Sequence, residues 1–193
     1  ITGCHIKGNN TFTEVTDNKV GGMVGINRGY IINCSSENIE FQHSNGKAGG
    51  IVYSNYGKIL NCYTSGCNFL HTISGAGICY TMEPQSEMKN CYAYKTSGYS
   101  PKKKYGSLAN ITNHSIIECG LYCDDNVKAV YSNYQTTPKQ IYSYDASTLQ
   151  TEDGTPAIDI LNNWIKNNAI LYPQHTFYNW VTGDIPPITL QQP

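Results

Sequence analysis

Short apolar stretches recur along the first two thirds of this chain, each closed by the same polar punctuation. Tyr30-Ile31-Ile32-Asn33-Cys34 and Lys58-Ile59-Leu60-Asn61-Cys62 are the clearest copies. Ile1, Ile31, Ile59, Met88 and Ile116 each stand three residues ahead of a cysteine. Those cysteines, Cys4, Cys34, Cys62, Cys91 and Cys119, follow one another at intervals of 30, 28, 29 and 28 residues. Asn33, Asn61 and Asn90 directly precede three of them, while Gly3 and Glu118 hold that place in the first and last copies. A second marker keeps the same beat: Gly22, Gly50, Gly77 and Gly106 are 28, 27 and 29 apart. They lead into Met23-Val24, Ile51-Val52, Ile78-Cys79 and the weaker Ser107-Leu108. A turn, Asn27-Arg28-Gly29 or Asn55-Tyr56-Gly57, separates the two markers in the clearest copies.

Two markers in step predict stacked structural repeats. Each unit reads as strand, turn, strand and a longer polar return. One unit cannot bury its apolar face alone, but a stack can, each strand pairing with its equivalent about 4.8 Å away. The expected fold is therefore all-β: a parallel β-helix, or solenoid, of about four to five coils, right-handed, over residues 1–123. In it the glycines serve positive φ or tight corners, and the asparagines hydrogen-bond along the stack. A leucine-rich repeat would need a Leu-x-x-Leu-x-Leu frame, and paired-helix repeats a helical period. Neither is present.

After Cys123 the repeat fades into a polar, Tyr-rich stretch, and residues 124–193 read as a C-terminal cap. One helix is expected there, about 156–167, with Thr155 as N-cap, Pro156 at the first position and Asp159 in the first turn. Ala157, Ile158, Leu161, Trp164 and Ile165 form its apolar stripe. Phe177 to Val181 and Ile185 to Leu190 read as strands about a Gly183-Asp184 turn. Such a unit suits the open end of a solenoid, where unpaired strands invite aggregation.

Composition agrees. The 193 residues include 18 Gly, 16 Tyr, 4 Phe and 3 Met, and only 14% are charged, against about 25% in ordinary soluble domains. A net charge of -1 gives no electrostatic reason to expect nucleic acid or an anionic membrane as partner. Lys102-Lys103-Lys104 reads as a solvated loop, and no stretch is long and apolar enough for a membrane span.

Candidate chemistry is sparse. Bridges between equivalent cysteines of neighbouring coils would join side chains that point the same way, so the five in register are expected to be free, buried thiols. Cys67, Cys79 and Cys123 lie off the register, and a bridge involving them stays open. Cys119 and Cys123 have metal-ligand spacing without a second pair, so no metal or cofactor is expected. Glu37, Glu83, Glu87 and Glu118 occupy different phases, and Asp124-Asp125 is an acidic pair just after the last repeat. His43 and His71 share a phase, whereas His5, His114 and His175 do not. No acid/base pair or nucleophile stands out, so no catalysis is expected. The sequons at Asn9, Asn33, Asn110 and Asn113 are those chance supplies in such a composition, and Asn33 is expected to be buried.

Gly22-Met23-Val24-Gly25-Ile26-Asn27 through Ile31-Ile32-Asn33-Cys34 resembles the GLUG motif, as does Gly50-Ile51-Val52 through Asn61-Cys62. The later copies depart from it, with Glu83-Pro84-Gln85 in place of the Asn-Gly turn in one. Leu161-Asn162, Trp180, Pro187 and Leu190 are similar to the ends of GLUG-repeat surface proteins of Bacteroides-type bacteria. The resemblance implies a secreted or surface-attached bacterial module with more chain upstream, and the repeat, the low charge and the tyrosines add the expectation of a stalk or an adhesin-like binder of surface glycan or protein. A carbohydrate-active β-helix enzyme is the alternative. The motif also occurs beside some metallopeptidase domains, whose His-Glu-x-x-His is absent here.

Overall fold

The computed structural model describes residues 1–13, 19–42, 46–69, 72–97, 104–123, 127–134, 139–145, 147–184 and 186–191. Bends at the Gly-Gly and Asn-x-Gly positions divide each coil among three faces. In the first clear repeat these faces carry Lys19–Gly21, Val24–Asn27 and Tyr30–Ile32, the last continuing into Ser35–Phe41. Lys47–Gly49, Val52–Asn55, Lys58–Leu60 and Tyr63–Ser65 stack on them in parallel, one coil on. The described residues form sheets of nine, five and four strands, about four turns of a parallel β-solenoid, followed by one helix and a short antiparallel hairpin.

Alternation along the strands sends every second side chain inward. Ile31, Ile59, Met88 and Ile117 are consecutive partners in one inward column and are all buried. Each such aliphatic side chain contributes about 1.5–3 kcal/mol by leaving water. Ile51, Ile78 and Leu108 fill the same core from the Gly-Gly corner. A second interior cluster holds Phe41, Phe69, Val20 and Tyr105. There Phe12, Phe41 and Phe69 stack coil on coil, with ring centroids 5.5 and 5.0 Å apart.

Pairing continues where the sequence repeat stops. Val130–Tyr134 adds to Ala109–Asn113, and Lys139–Asp145 adds to Ile116–Cys123, both in parallel. Backbone groups suffice for this, given Val130 and Ile141 to pack against the core.

The glycine and cysteine columns differ from the sequence expectation in two ways. Gly106 pairs with Ala76, and so stands in the column of Gly21 and Gly49, while Ser107 follows Gly22, Gly50 and Gly77. Lys89 pairs with Glu118 and Cys91 with Gly120, so Cys119 stands in the asparagine column and not in the cysteine column. The backbone explains the second shift. Gly3, Asn33, Asn61, Asn90, Cys119 and Gln140 all have positive φ, between 53° and 64°. One left-handed residue per coil turns the chain at this corner, and Asn and Gly are the residues that adopt it most readily. The corner conformation and not the thiol sets the register. Gly22, Gly50 and Gly77 show no such φ. They are needed for close approach, because a Cβ there would meet the carbonyl oxygen of the next coil, from Gly50, Gly77 or Ser107.

The helix spans Ala157–Asn168, one residue later at each end than expected. Pro156 and not Thr155 is its N-cap, without a side-chain cap bond. Thr155 instead closes the preceding turn: its N–H donates to Asp153 Oδ1 and its carbonyl accepts from the Thr151 N–H and hydroxyl. Ala157, Leu161 and Trp164 are the helix residues that bury. They do not plug the last coil. The helix packs against Glu87–Tyr94 and Ile116–Cys123, and the segment after it runs back along the outside of the long sheet, Tyr172 meeting Glu87, Tyr178 meeting Asn61 and Thr176 meeting Asn33. Trp180 sits on Tyr63 and Tyr92 with centroids 6.0 and 6.1 Å away, in a cluster with Ile32, Leu60 and Leu121. That face carries apolar outward residues, which explains why a lateral cover forms. The sheet's end is closed by Gln150–Thr151, which pairs antiparallel with Tyr144 and Asp145.

Candidate functional site

The asparagine column is a continuous amide ladder. Asn61 Nδ2 donates to Asn33 Oδ1 at 2.7 Å and Asn90 Nδ2 to Asn61 Oδ1 at 2.8 Å. Its free valences hold the C-terminal segment: Asn33 Nδ2 donates to the Thr176 carbonyl, Asn33 Oδ1 accepts the Tyr178 N–H, and Asn61 Nδ2 reaches the Tyr178 carbonyl. Asn27 and Asn55 form a second ladder at the Asn-x-Gly turn, 2.7 Å apart, and each closes its own turn onto Gly29 or Gly57. All these amides have internal duties.

The thiols are equally committed. All eight cysteines are free. Cys34, Cys62 and Cys91 lie buried in line, each donating to the carbonyl two residues back, Ile32, Leu60 or Lys89. A hydrogen bond with Cys62, and then burial, raises the pKa of Cys34, while burial raises those of Cys62 and Cys79. Burial, aided by the Glu118 charge, pushes Cys119 to about 12. Protonated, enclosed thiols are poor nucleophiles and poor ligands.

Two charged networks lie on the outer face of the long sheet. Glu87 accepts from Lys58 at 3.1 Å and Lys89 at 3.2 Å, and Lys89 reaches Glu118 at 3.5 Å. Burial opposes the Glu87 charge, but the two lysines outweigh it and its pKa is lowered. Tyr172 donates to Glu87 and receives the Lys58 ammonium over its ring, so this network seats the C-terminal segment. Glu37, 5% exposed, accepts from Tyr63 at 2.6 Å and pairs with Lys7 at 3.4 Å. Beside it His5 Nδ1 lies 2.8 Å from Ser35 Oγ. Burial lowers the His5 pKa, the Glu37 charge opposing. Ser35 is 0% exposed, so this Ser–His contact presents no reachable nucleophile.

An open feature of the surface among the described residues is a polar groove of about 350 Å³, lined by Asn9, Thr11, Asn38, Ile39, Glu40, Gly66, Asn68 and Ser97. Thr11, Glu40, Asn68 and Ser97 are successive partners in four coils, and form one wall. Asn9, Asn38 and Gly66 form the other. Asn38 has φ 55° and Gly66 φ 64°, a second left-handed corner. A Cβ at Gly66 would meet Asn38 Oδ1 at 2.5 Å, so the glycine leaves the Asn38 amide its place over the groove floor. Sequence reasoning missed this site. The signal was the coil beat itself, since Thr11, Glu40, Asn68 and Ser97 are 29, 28 and 29 apart. An irregularity between Lys7 and Asn10 hides it in the first coil.

The other candidates fall as follows. Glu83 accepts from Ser54 Oγ at 2.8 Å, in a turn. Of the sequon asparagines, Asn33 and Asn110 are buried and Asn9 is exposed. Lys104 opens a strand, Lys104–Gly106, and is exposed. His43, His71, Lys102, Lys103 and the Asp124-Asp125 pair lie outside the described residues. Among the described residues no three His, Cys, Asp or Glu gather at metal-binding distance.

No family model, no curated protein and no solved structure matches this chain.

Proposed function

We propose that the chain is a non-catalytic module of a secreted or surface-attached bacterial protein, a rigid stalk with adhesin-like binding along one groove. The resemblance of its first two repeats to the GLUG motif supports that setting, and so does its low charge. The observation that carries the reading is the division of its polar side chains. Six of the eight thiols are enclosed and the ladder amides are paired, whereas an open groove, built by four successive coils, presents amide, hydroxyl and carboxylate groups to solvent. A scaffold of this kind holds contact groups at fixed spacing and performs no bond-breaking.

The half-buried Glu40 in that groove favours a second reading, a carbohydrate-active enzyme. Glycoside cleavage uses two carboxyl groups flanking the bond, and Glu40 is the one carboxylate in the lining among the described residues. Retention of the purified chain on a glycan and surface-protein array, with no release of reducing ends or unsaturated sugars from bound polymers, is the expected result. Catalytic product release would overturn the non-enzymatic reading. Surface biotinylation of cells carrying the gene should label the protein; protection until lysis would overturn the surface setting.

A further inference from the structure

The groove has hydrogen-bonding capacity that the rest of the molecule uses up. Asn33, Asn61, Asn27 and Asn55 each bond within the fold. Among the described residues, the side chains of Thr11, Asn38 and Glu40 bond to none, although they line the same depression. Asn offers a donor and an acceptor at one point, Thr and Ser do the same, and ionised Glu only accepts. That mixture matches vicinal sugar hydroxyls, which also donate and accept.

Spacing narrows the ligand further. Four coils stack at ~4.8 Å, close to the advance per residue of an extended pyranose chain, and so give polar steps over about 14 Å. A peptide added as a strand would need an unpaired sheet edge. Here the walls are side-chain columns of strands already paired on both sides at Ser35–Phe41 and Tyr63–Ser65. Among the described residues the lining holds no Lys or Arg to meet phosphates or carboxylates, and the one charge there is negative. A half-buried carboxylate repels a carboxylate laid beside it and attracts an ammonium.

We propose that this groove binds an extended oligosaccharide of neutral or amino sugars along the stacking axis. Thr11 and Asn38 bond its hydroxyls, and Glu40 selects against uronate polymers. The proposal rests on the reading of the chain as a binding module, and names its ligand class.

Titration calorimetry of the whole chain tests it, with soluble 1,4-linked oligomers of mannose, N-acetylglucosamine, glucosamine and galacturonate as probes. Binding of one or more of the first three, with galacturonate weakest, is expected. Asn38→Ala should weaken it about tenfold. Glu40→Gln should lessen any preference for glucosamine, and narrow the gap to galacturonate, in low salt. The Glu40 side chain bonds to none of the described residues, so an unchanged melting temperature of Glu40→Gln shows that the fold is intact. Galacturonate binding best, or affinity indifferent to both substitutions, overturns the assignment of ligand and site while leaving a binding module. No heat with any probe, and no retention on the wider array, overturns the binding reading itself.

Discussion

Cys119 donates its thiol to the side-chain oxygen of Asn90 at 3.4 Å, and so takes the rung that asparagine holds in the three preceding coils. A thiol is a weak donor, and cysteine visits the left-handed backbone less readily than asparagine. Its φ is nonetheless 53°. Cys119→Asn should therefore lengthen the amide ladder by one rung, the new side-chain amide reaching Asn90 Oδ1. A gain of about 1 kcal/mol, or a rise in melting temperature of about 3 °C, is expected in calorimetry. A fall would show that the pocket between Asn90 and the Ile160 carbonyl is shaped for sulfur.

The repeat was legible in the sequence because a solenoid imposes the same demand on every coil. Ile31, Ile59 and Met88 fill one column, and Asn33, Asn61 and Asn90 turn one corner. The last coil misleads because two columns adjoin. Cysteine is small enough for the inward column and tolerable at the corner, so Cys119 keeps the cysteine beat while occupying the asparagine place. The helix was legible from its apolar stripe, but its docking was not. Nothing local in Trp180 says that its partners are Tyr63 and Tyr92, two coils of a sheet far away in sequence. The groove was hidden for another reason: its residues are polar and solvent-facing, and packing does not constrain such positions to repeat in kind.

Asn33→Ala removes the acceptor of the Tyr178 N–H and the donor to the Thr176 carbonyl, as well as one end of the Asn61 bond. Buried groups left unpaired, together with alanine in a left-handed conformation, should cost at least about 3 kcal/mol. Asn90→Ala breaks the ladder too, but no bond to Thr176 or Tyr178. Hydrogen exchange separates the two. At matched loss of global stability, the Tyr178 amide should exchange faster in Asn33→Ala than in Asn90→Ala. Equal rates would mean that the C-terminal segment is held by Trp180 packing alone.

Glycines of one motif should respond oppositely to a methyl group. At Gly50 a Cβ would collide with the Gly77 carbonyl of the next coil, and backbone cannot step aside without breaking the sheet. At Gly25 the same atom would enter open space, with no positive φ to forbid it. Gly50→Ala should therefore abolish or severely weaken folding, while Gly25→Ala should be neutral or stabilise by up to about 1 kcal/mol through the unfolded state. Urea denaturation of the two variants decides it. A tolerated Gly50→Ala would contradict the close stacking of the Gly22, Gly50 and Gly77 column.

Alkali should unfold this protein through its core. Burial pushes Cys119 from 9.0 to about 12, and burial with the Glu37 contact pushes Tyr63 from 10.0 to about 12. Cys34, Cys62 and Cys79 shift the same way. Between the ordinary and the raised value the unfolded chain has lost its proton and the folded chain has kept it, so stability falls as pH rises. The contribution is whole below 9.0 for the thiols and 10.0 for the phenols, and is lost on approach to about 12. Urea midpoints should therefore decline steeply across that window. Native protein at about pH 8 should give a maleimide only Cys4 and Cys123, the two cysteines not buried, with the other six released on denaturation. Rapid native labelling of Cys34 or Cys62 would refute the enclosed thiol column, and a flat alkaline profile would refute its coupling to folding.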